Sequence, residues 1–102
     1  MTRALYTFVM DYRGGTYVSQ VAERSLKAAV LRWVSKLDTK RIGAARKALR
    51  PASFSWEDGQ PVPVEGTAGV WCFDLRLGRF LAIVHVVRTY VAGSPAATGE
   101  AG

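Results

Sequence analysis

The strongest constraint on the fold lies between Val70 and Val87, a run rich in aromatic and β-branched residues. Side chains of these types fit a pleated, half-buried surface. We therefore predict a hairpin of two antiparallel strands that turns at Gly78-Arg79. This register fixes which side chains share a face. The pairs on one face are Leu77 with Phe80, Leu75 with Ala82, Phe73 with Val84 and Trp71 with Val86.

A second hairpin is predicted near the start of the chain. Ala4–Tyr12 and Thr16–Ala22 both alternate in polarity, and Gly14-Gly15 lies between them. Two adjacent glycines suit a two-residue primed turn, in which both central residues have φ > 0. The resulting register pairs Tyr12 with Tyr17, Met10 with Ser19 and Phe8 with Val21.

The polarity period then changes from two to about 3.6, which is typical of an amphipathic helix. Ser25 is a candidate N-cap, and Glu23 or Arg24 are alternative starting points. The apolar stripe of the helix consists of Leu26, Ala29, Val30, Trp33, Val34 and Leu37. A second helix is predicted from about Lys40 to Arg50, with Pro51 ending it. It would bury Ile42, Ala45 and Leu49.

The remaining segments complete a single domain of residues 1–91. Residues 51–69 carry Phe54 and Trp56, which a linker would not normally hold, so we expect this loop to pack on the domain. Residues 92–102 are small and polar and are expected to form a flexible tail. The element order is β-β-α-α-β-β, or β-β-α-β-β if the second helix is short. We predict an α+β two-layer sandwich, with helices on one face of a four-stranded antiparallel sheet.

Composition narrows the class of protein. A chain of 102 residues is long enough for one core. Its one cysteine, Cys72, rules out a scaffold held by internal disulfides. No apolar run approaches the ~20 residues of a membrane-spanning helix. Asp11 ends the first apolar run, and no small-residue cleavage site follows it, so we expect a cytoplasmic protein.

Positive charge is concentrated in residues 23–50, which hold nine basic and two acidic residues. The net charge of this segment is +7, against +6 for the whole chain. Such asymmetry is typical of proteins with an anionic partner. On the predicted second helix an arc of four cations faces away from the apolar side and is a candidate for phosphate contacts. These are Lys40, Arg46, Lys47 and Arg50; an ordinary solvated helix face is the alternative.

The sheet face turned away from the helices is unusually apolar. A solvated antiparallel sheet normally alternates apolar and polar residues, and an apolar patch of this extent implies a partner surface. We expect a twofold homodimer through it, unless residues 51–69 or the tail fold over it. The residues on this face are Leu5, Val9, Val18, Val70, Cys72, Leu81, Ile83, His85 and Val87.

Cys72 falls opposite His85 in the predicted register, with Asp74 two residues along. A thiol beside an imidazole is the arrangement of a nucleophile and its base, yet opposed residues on a sheet are neighbours whatever their role. A structural zinc site needs four ligands, and these two residues leave it incomplete. We therefore expect no catalytic residues, no metal and no cofactor.

The N-terminal third, about residues 6–30, resembles HicB-type antitoxins. The resemblance lies in Tyr6-Thr7-Phe8, in Gly14-Gly15-Thr16-Tyr17-Val18-Ser19 and in the helix start Ser25-Leu26-Lys27-Ala28-Ala29. It implies a dimeric α+β antitoxin core that blocks a small RNA-cleaving toxin. Where that family has Asp-Leu-Pro-Gly-Cys, this chain has Val21-Ala22-Glu23-Arg24, and we expect no appended helix-turn-helix or ribbon DNA-binding domain. The plan is also similar to that of small uncharacterised bacterial proteins.

The expected function is that of a small, non-enzymatic binding or regulatory protein, either antitoxin-like or a protein-interaction module. Nucleic-acid binding through the basic segment 24–50 is the alternative.

Overall fold

The computed structural model describes residues 3–37, 54–77 and 80–90. These residues form one antiparallel sheet of five strands in the order β2-β1-β5-β4-β3. The strands are β1 (Ala4–Tyr12), β2 (Gly15–Glu23), β3 (Val62–Pro63), β4 (Val70–Leu77) and β5 (Phe80–Thr89). Helix α1 spans Leu26–Ser35, and the single-turn helix α2 spans Trp56–Gly59.

The predicted fold class is wrong in its architecture. The sheet has five strands instead of four, because Val62–Pro63 pairs with Trp71 and Cys72 at the edge of the sheet. Helix α1 is the only helix longer than one turn in the part of the chain that the structure describes. The predicted second helix, Lys40 to Arg50, and the predicted tail, 92–102, lie outside the described residues.

The register of the C-terminal hairpin is confirmed. Phe73 is opposite Val84, Trp71 is opposite Val86, and Cys72 is opposite His85. The turn residues 78–79 are not among the described residues. Strand β5 also pairs with β1, so the two hairpins join into one sheet with β5 at its centre. The sheet residues of the core are Tyr6, Phe8, Met10, Tyr12, Phe73, Leu75, Leu77, Ala82, Val84 and Val86.

The register of the N-terminal hairpin differs from its prediction by two residues. Tyr12 is opposite Gly15, and Met10 is opposite Tyr17. The turn is formed by Arg13 (φ 49°) and Gly14 (φ 84°), the two positive φ angles that a primed turn requires. Gly15 lies in β2 instead, where a Cβ would stand 2.6 Å from the Tyr17 hydroxyl oxygen. Because the difference is two residues, every side chain keeps its predicted face.

Helix α1 covers the core side of the sheet. Its predicted N-cap is confirmed, because the Ser25 hydroxyl accepts a hydrogen bond from the Ala28 N–H at 3.1 Å. The helix is only ten residues long, too short to be stable alone. Its docking depends on four buried side chains: Ala29, Val30, Trp33 and Val34.

Trp33 makes the most extensive of these contacts. Its ring stacks on Phe8, with centroids 4.9 Å apart and planes 4° from parallel. It meets Phe73 edge-on at 6.1 Å. Its indole N–H donates a hydrogen bond to the Ser19 hydroxyl at 2.9 Å. One side chain therefore connects α1 to strands β1, β2 and β4.

Candidate functional site

The candidate site is the outer face, which we define as the sheet surface on the side away from α1. The strand registers align one side chain from each strand into a row across the middle of this face. In spatial order the row is Val18, Val9, His85, Cys72 and Val62. Three of the five side chains are valines, so the row is mainly apolar from one edge of the sheet to the other.

The outer face is open to solvent in the part of the chain that the structure describes. Val18 and Val62 are each 63% exposed, Leu81 is 50% exposed and Ile83 is 41% exposed. Large apolar side chains with this much exposure, gathered on one surface, are uncommon in a monomer. All nine residues predicted for this face lie on it: Leu5, Val9, Val18, Val70, Cys72, Leu81, Ile83, His85 and Val87.

Sequence reasoning missed Val62. The prolines on either side of it favour an extended, polyproline-like run, because proline has no N–H to donate to a neighbouring strand, although an edge strand tolerates proline. The alternation of Val62 and Val64 was the signal that could have placed it. In the structure Val62 is opposite Cys72 and extends the outer face by one strand.

The described part of the 51–69 loop does not cover the outer face. Phe54 packs edge-on against the core residue Phe73 at 5.7 Å, and Trp56 also packs against the core cluster. The ammonium of Lys27, on α1, lies 5.6 Å from the Trp56 ring centroid. The loop therefore packs on the helix side, as expected for a loop with two aromatic residues, and leaves the opposite side open.

Polar groups border the outer face and bond mostly to each other. Thr16 donates a hydrogen bond to the Asp11 carboxylate at 2.8 Å. Gln20 donates to the Thr7 hydroxyl at 3.0 Å, and Thr7 also pairs with Thr89. An apolar centre with a polar rim is the usual anatomy of a protein–protein interface.

The environment of Cys72 disfavours a nucleophilic role. Burial raises the pKa of its thiol, and the Asp74 carboxylate raises that pKa further. A reactive cysteine needs the opposite shift, because only the thiolate attacks. Within the described ranges, no three side chains of the metal-binding types gather into a potential metal site.

The basic segment is only partly described. Arg32 forms an ion pair with Glu23 at 3.2 Å, with side-chain exposures of 45% and 16%. Lys27 lies over the Trp56 ring. Two of the cations on α1 therefore have partners within the domain. The four residues predicted to contact phosphate, Lys40, Arg46, Lys47 and Arg50, lie outside the described residues.

A groove of about 490 Å³ lies between β2 and the C-terminal end of α1. Trp33, Leu37 and Tyr17 contribute apolar surface to it, and Lys36 is its one charged lining residue. Among the described residues, its lining contains no carboxylate, cysteine or histidine.

No helix in the described part of the chain combines the length and apolar character needed to cross a bilayer. Comparison with protein-family models, with curated proteins and with solved structures finds no match to this chain.

Proposed function

We propose that this protein is a non-enzymatic interaction module that acts through its outer face, on which two copies associate as a twofold homodimer. The observation that carries the proposal is the row of side chains from Val18 to Val62, which is mainly apolar and crosses all five strands without a covering element in the described residues. A surface of this kind is stabilised when a partner removes it from water.

The area of the outer face matches what a stable dimer needs. Neighbouring strands lie about 4.8 Å apart and rise about 3.3 Å per residue. Four strands of eight to ten residues therefore project onto roughly 570 Å² by these spacings. The accessible surface of a face covered with side chains exceeds its projection. It approaches the ~600–800 Å² per partner of a specific interface.

A second copy is also the occupant that fits the shape of this face. An antiparallel sheet with one apolar surface packs well on another such surface, about 10 Å away and with strands within about 30° of each other. His85 lies at the middle of this face, and Asp11 and Asp74 flank Ile83, but most of its other polar groups lie toward the rim. A copy related by a twofold axis therefore brings mainly apolar surface onto mainly apolar surface.

The proposal is tested with two matched variants. Ile83 on the outer face and Leu31 on the solvent side of α1 are both 41% exposed. In Ile83→Glu, a carboxylate enters the interface and would have to be buried without a partner, which is strongly unfavourable. In Leu31→Glu, the carboxylate stays in water. Sedimentation velocity at micromolar concentration should show a dimer for wild type and Leu31→Glu and a monomer for Ile83→Glu.

Circular dichroism of both variants checks that the fold is intact. A wild-type protein that stays monomeric at tens of micromolar would refute the proposed homodimer. An Ile83→Glu variant that dimerises as tightly as Leu31→Glu would place the interface on another surface.

The antitoxin-like role is a more specific form of the same proposal, and the resemblance to HicB-type antitoxins stays a prediction. It would require the module to hold a small partner protein, which co-purification from the native host followed by mass spectrometry would identify. We propose a cytoplasmic location as well, which the single free thiol of Cys72 supports.

Nucleic-acid binding is the second candidate function, favoured by the net charge of +7 in residues 23–50. If it is correct, the protein binds RNA or DNA with an affinity that falls steeply with salt, because cation–phosphate contacts release counterions. Changing Lys40, Arg46, Lys47 and Arg50 together to glutamate should abolish that binding. A wild-type protein that heparin does not retain would exclude this function.

A further inference from the structure

We propose that His85 meets the partner's His85 at the centre of the homodimer, so that acidification separates the two copies. The inference rests on the proposed dimer through the outer face and adds to it a geometry and a form of regulation.

His85 lies at the middle of the outer face in both directions. It belongs to β5, the central strand of the five, and it is the sixth of the ten residues in that strand. Val9 of β1 flanks it on one side and Cys72 of β4 on the other. The row that contains it continues to Val18 and Val62 at the two edges of the sheet.

Symmetry then determines what His85 faces. Two identical sheets that pack face to face are related by a twofold axis lying in the plane between them, and residues beside this axis meet their own copies. An axis that runs along the strands through the centre of the face passes over β5. An axis that runs across the strands passes over the row of Val18, Val9, His85, Cys72 and Val62. His85 lies beside the axis in either case, and at about 10 Å between sheets the two imidazoles are within reach of each other.

A pair of imidazoles in this position is tolerated only while neutral. An imidazole gains its charge between about pH 8 and pH 5. In the dimer, protonation of both rings would place two like charges side by side among valine side chains. The charges lose their hydration and repel each other. In the separated monomers each half-buried ring faces water.

The other charged groups near His85 oppose this effect only weakly. Asp11 on β1 and Asp74 on β4 are the carboxylates on this face, each two residues along from the row. Such diagonal neighbours are about 7–8 Å away. Each chain's own carboxylates lie at this distance from its His85 in the monomer as well as in the dimer, so most of their attraction for a protonated ring is common to both states and cancels from the dissociation constant. The Cys72 thiol beside His85 is uncharged, since its pKa is raised. Strands β2 and β3 contribute Val18 and Val62 to the row, and these are uncharged.

His85 is the only histidine in the chain, so a single substitution removes every imidazole and tests this side chain specifically. Sedimentation velocity at pH 8.0 and pH 5.5, at constant ionic strength, measures the dimer dissociation constant of the full chain. For the wild type we expect this constant to rise at least about tenfold on acidification, which is about 1.4 kcal/mol. In His85→Gln, which keeps a polar side chain of similar size without a charge, we expect a dimer of equal strength at both pH values.

The outcomes separate this inference from the proposed function. A monomer at both pH values would refute the dimer itself. A wild-type dimer with the same dissociation constant at both pH values would refute the histidine pair and leave the dimer standing. If acidification separates the His85→Gln dimer to the same extent as the wild-type dimer, the effect belongs to other groups, such as Asp11 and Asp74. That result would overturn the inference. Dissociation by EDTA at pH 8.0 would also overturn it, in favour of a metal held by Cys72 and His85 of both copies.

Discussion

Replacing Trp33 with alanine should undock α1 from the sheet. The ring is 5% exposed, stacks on Phe8 at 4.9 Å and meets Phe73 edge-on. Its indole N–H also bonds to Ser19. The change therefore removes the largest side chain that connects the helix to the sheet, together with one hydrogen bond.

The expected cost follows from these contacts. Truncation of a buried Trp to alanine costs about 3–5 kcal/mol, through lost burial and the cavity that remains. A domain of this size has a total stability of about 5–15 kcal/mol, so the change removes a large part of it. Trp33→Phe keeps most of the stacking on Phe8 and loses the hydrogen bond to Ser19, so a smaller cost of about 1–2 kcal/mol is expected.

Urea denaturation followed by far-ultraviolet circular dichroism measures these differences. Both variants should be compared in the Ile83→Glu background, so that dimer dissociation does not contribute to the free energy of unfolding. Trp33→Ala is expected to lower the midpoint several-fold more than Trp33→Phe. A cost below about 1 kcal/mol for Trp33→Ala, against the usual range for a buried aromatic residue, would show that α1 does not depend on this side chain.

Three further predictions concern local features. Ser25→Ala removes the oxygen that accepts the Ala28 N–H and should cost about 1 kcal/mol in urea denaturation; an unchanged midpoint would show that the cap is not needed. Gly14→Ala meets no atom within 4 Å, yet should cost about 1–2 kcal/mol because φ is +84° there, and a neutral result would mean that the turn adopts another form. Burial and then Asp74 raise the pKa of the Cys72 thiol in the folded state. The neutral thiol therefore stabilises the fold fully at pH values below the thiol's pKa in the unfolded chain, and this stabilisation is lost as pH rises through the thiol's pKa in the folded chain. Above about pH 8.5, the ordinary pKa of a thiol, the wild type should therefore lose more stability than Cys72→Ala in thermal denaturation, and parallel curves would contradict the shift.

The pairing of two strands could be predicted from the sequence where the side-chain pattern alone determines the register. From Val70 to Thr89 the alternation is strong on both strands, so the pairs Phe73–Val84 and Cys72–His85 could be predicted. Helix α1 could be predicted as well, because its apolar stripe and its N-cap residue, Ser25, indicate the same start of the helix.

Two features could not be read from the pattern. In the N-terminal hairpin, shifting the turn by one residue along the chain changes every pair but leaves every face the same, so hydrophobicity cannot distinguish the alternatives. Arg13 taking a positive φ beside Gly14 decided the outcome. Strand β3 could not be predicted, because two prolines in three residues, Pro61 and Pro63, are typical of a segment that does not pair in a sheet. Only its pairing with β4 in the structure identifies it as a strand. The sequence therefore predicted which residues of four strands lie on the outer face. It did not predict that this face extends to a fifth strand at one edge.

The two edges of the sheet are not equivalent, and this difference constrains how the protein can aggregate. At the β3 edge the Val64 N–H donates to the Val70 carbonyl. Since successive backbone groups of a strand point to opposite sides, the nitrogen of Pro63 faces outward, where it has no hydrogen to offer an incoming strand. At the β2 edge, Gly15–Glu23 has neither proline nor lysine to discourage pairing. Strand pairing between molecules should therefore occur through β2 and not through β3. Two molecules joined at their β2 edges expose only β3 edges, so such pairing should end at two molecules and not continue into a fibril.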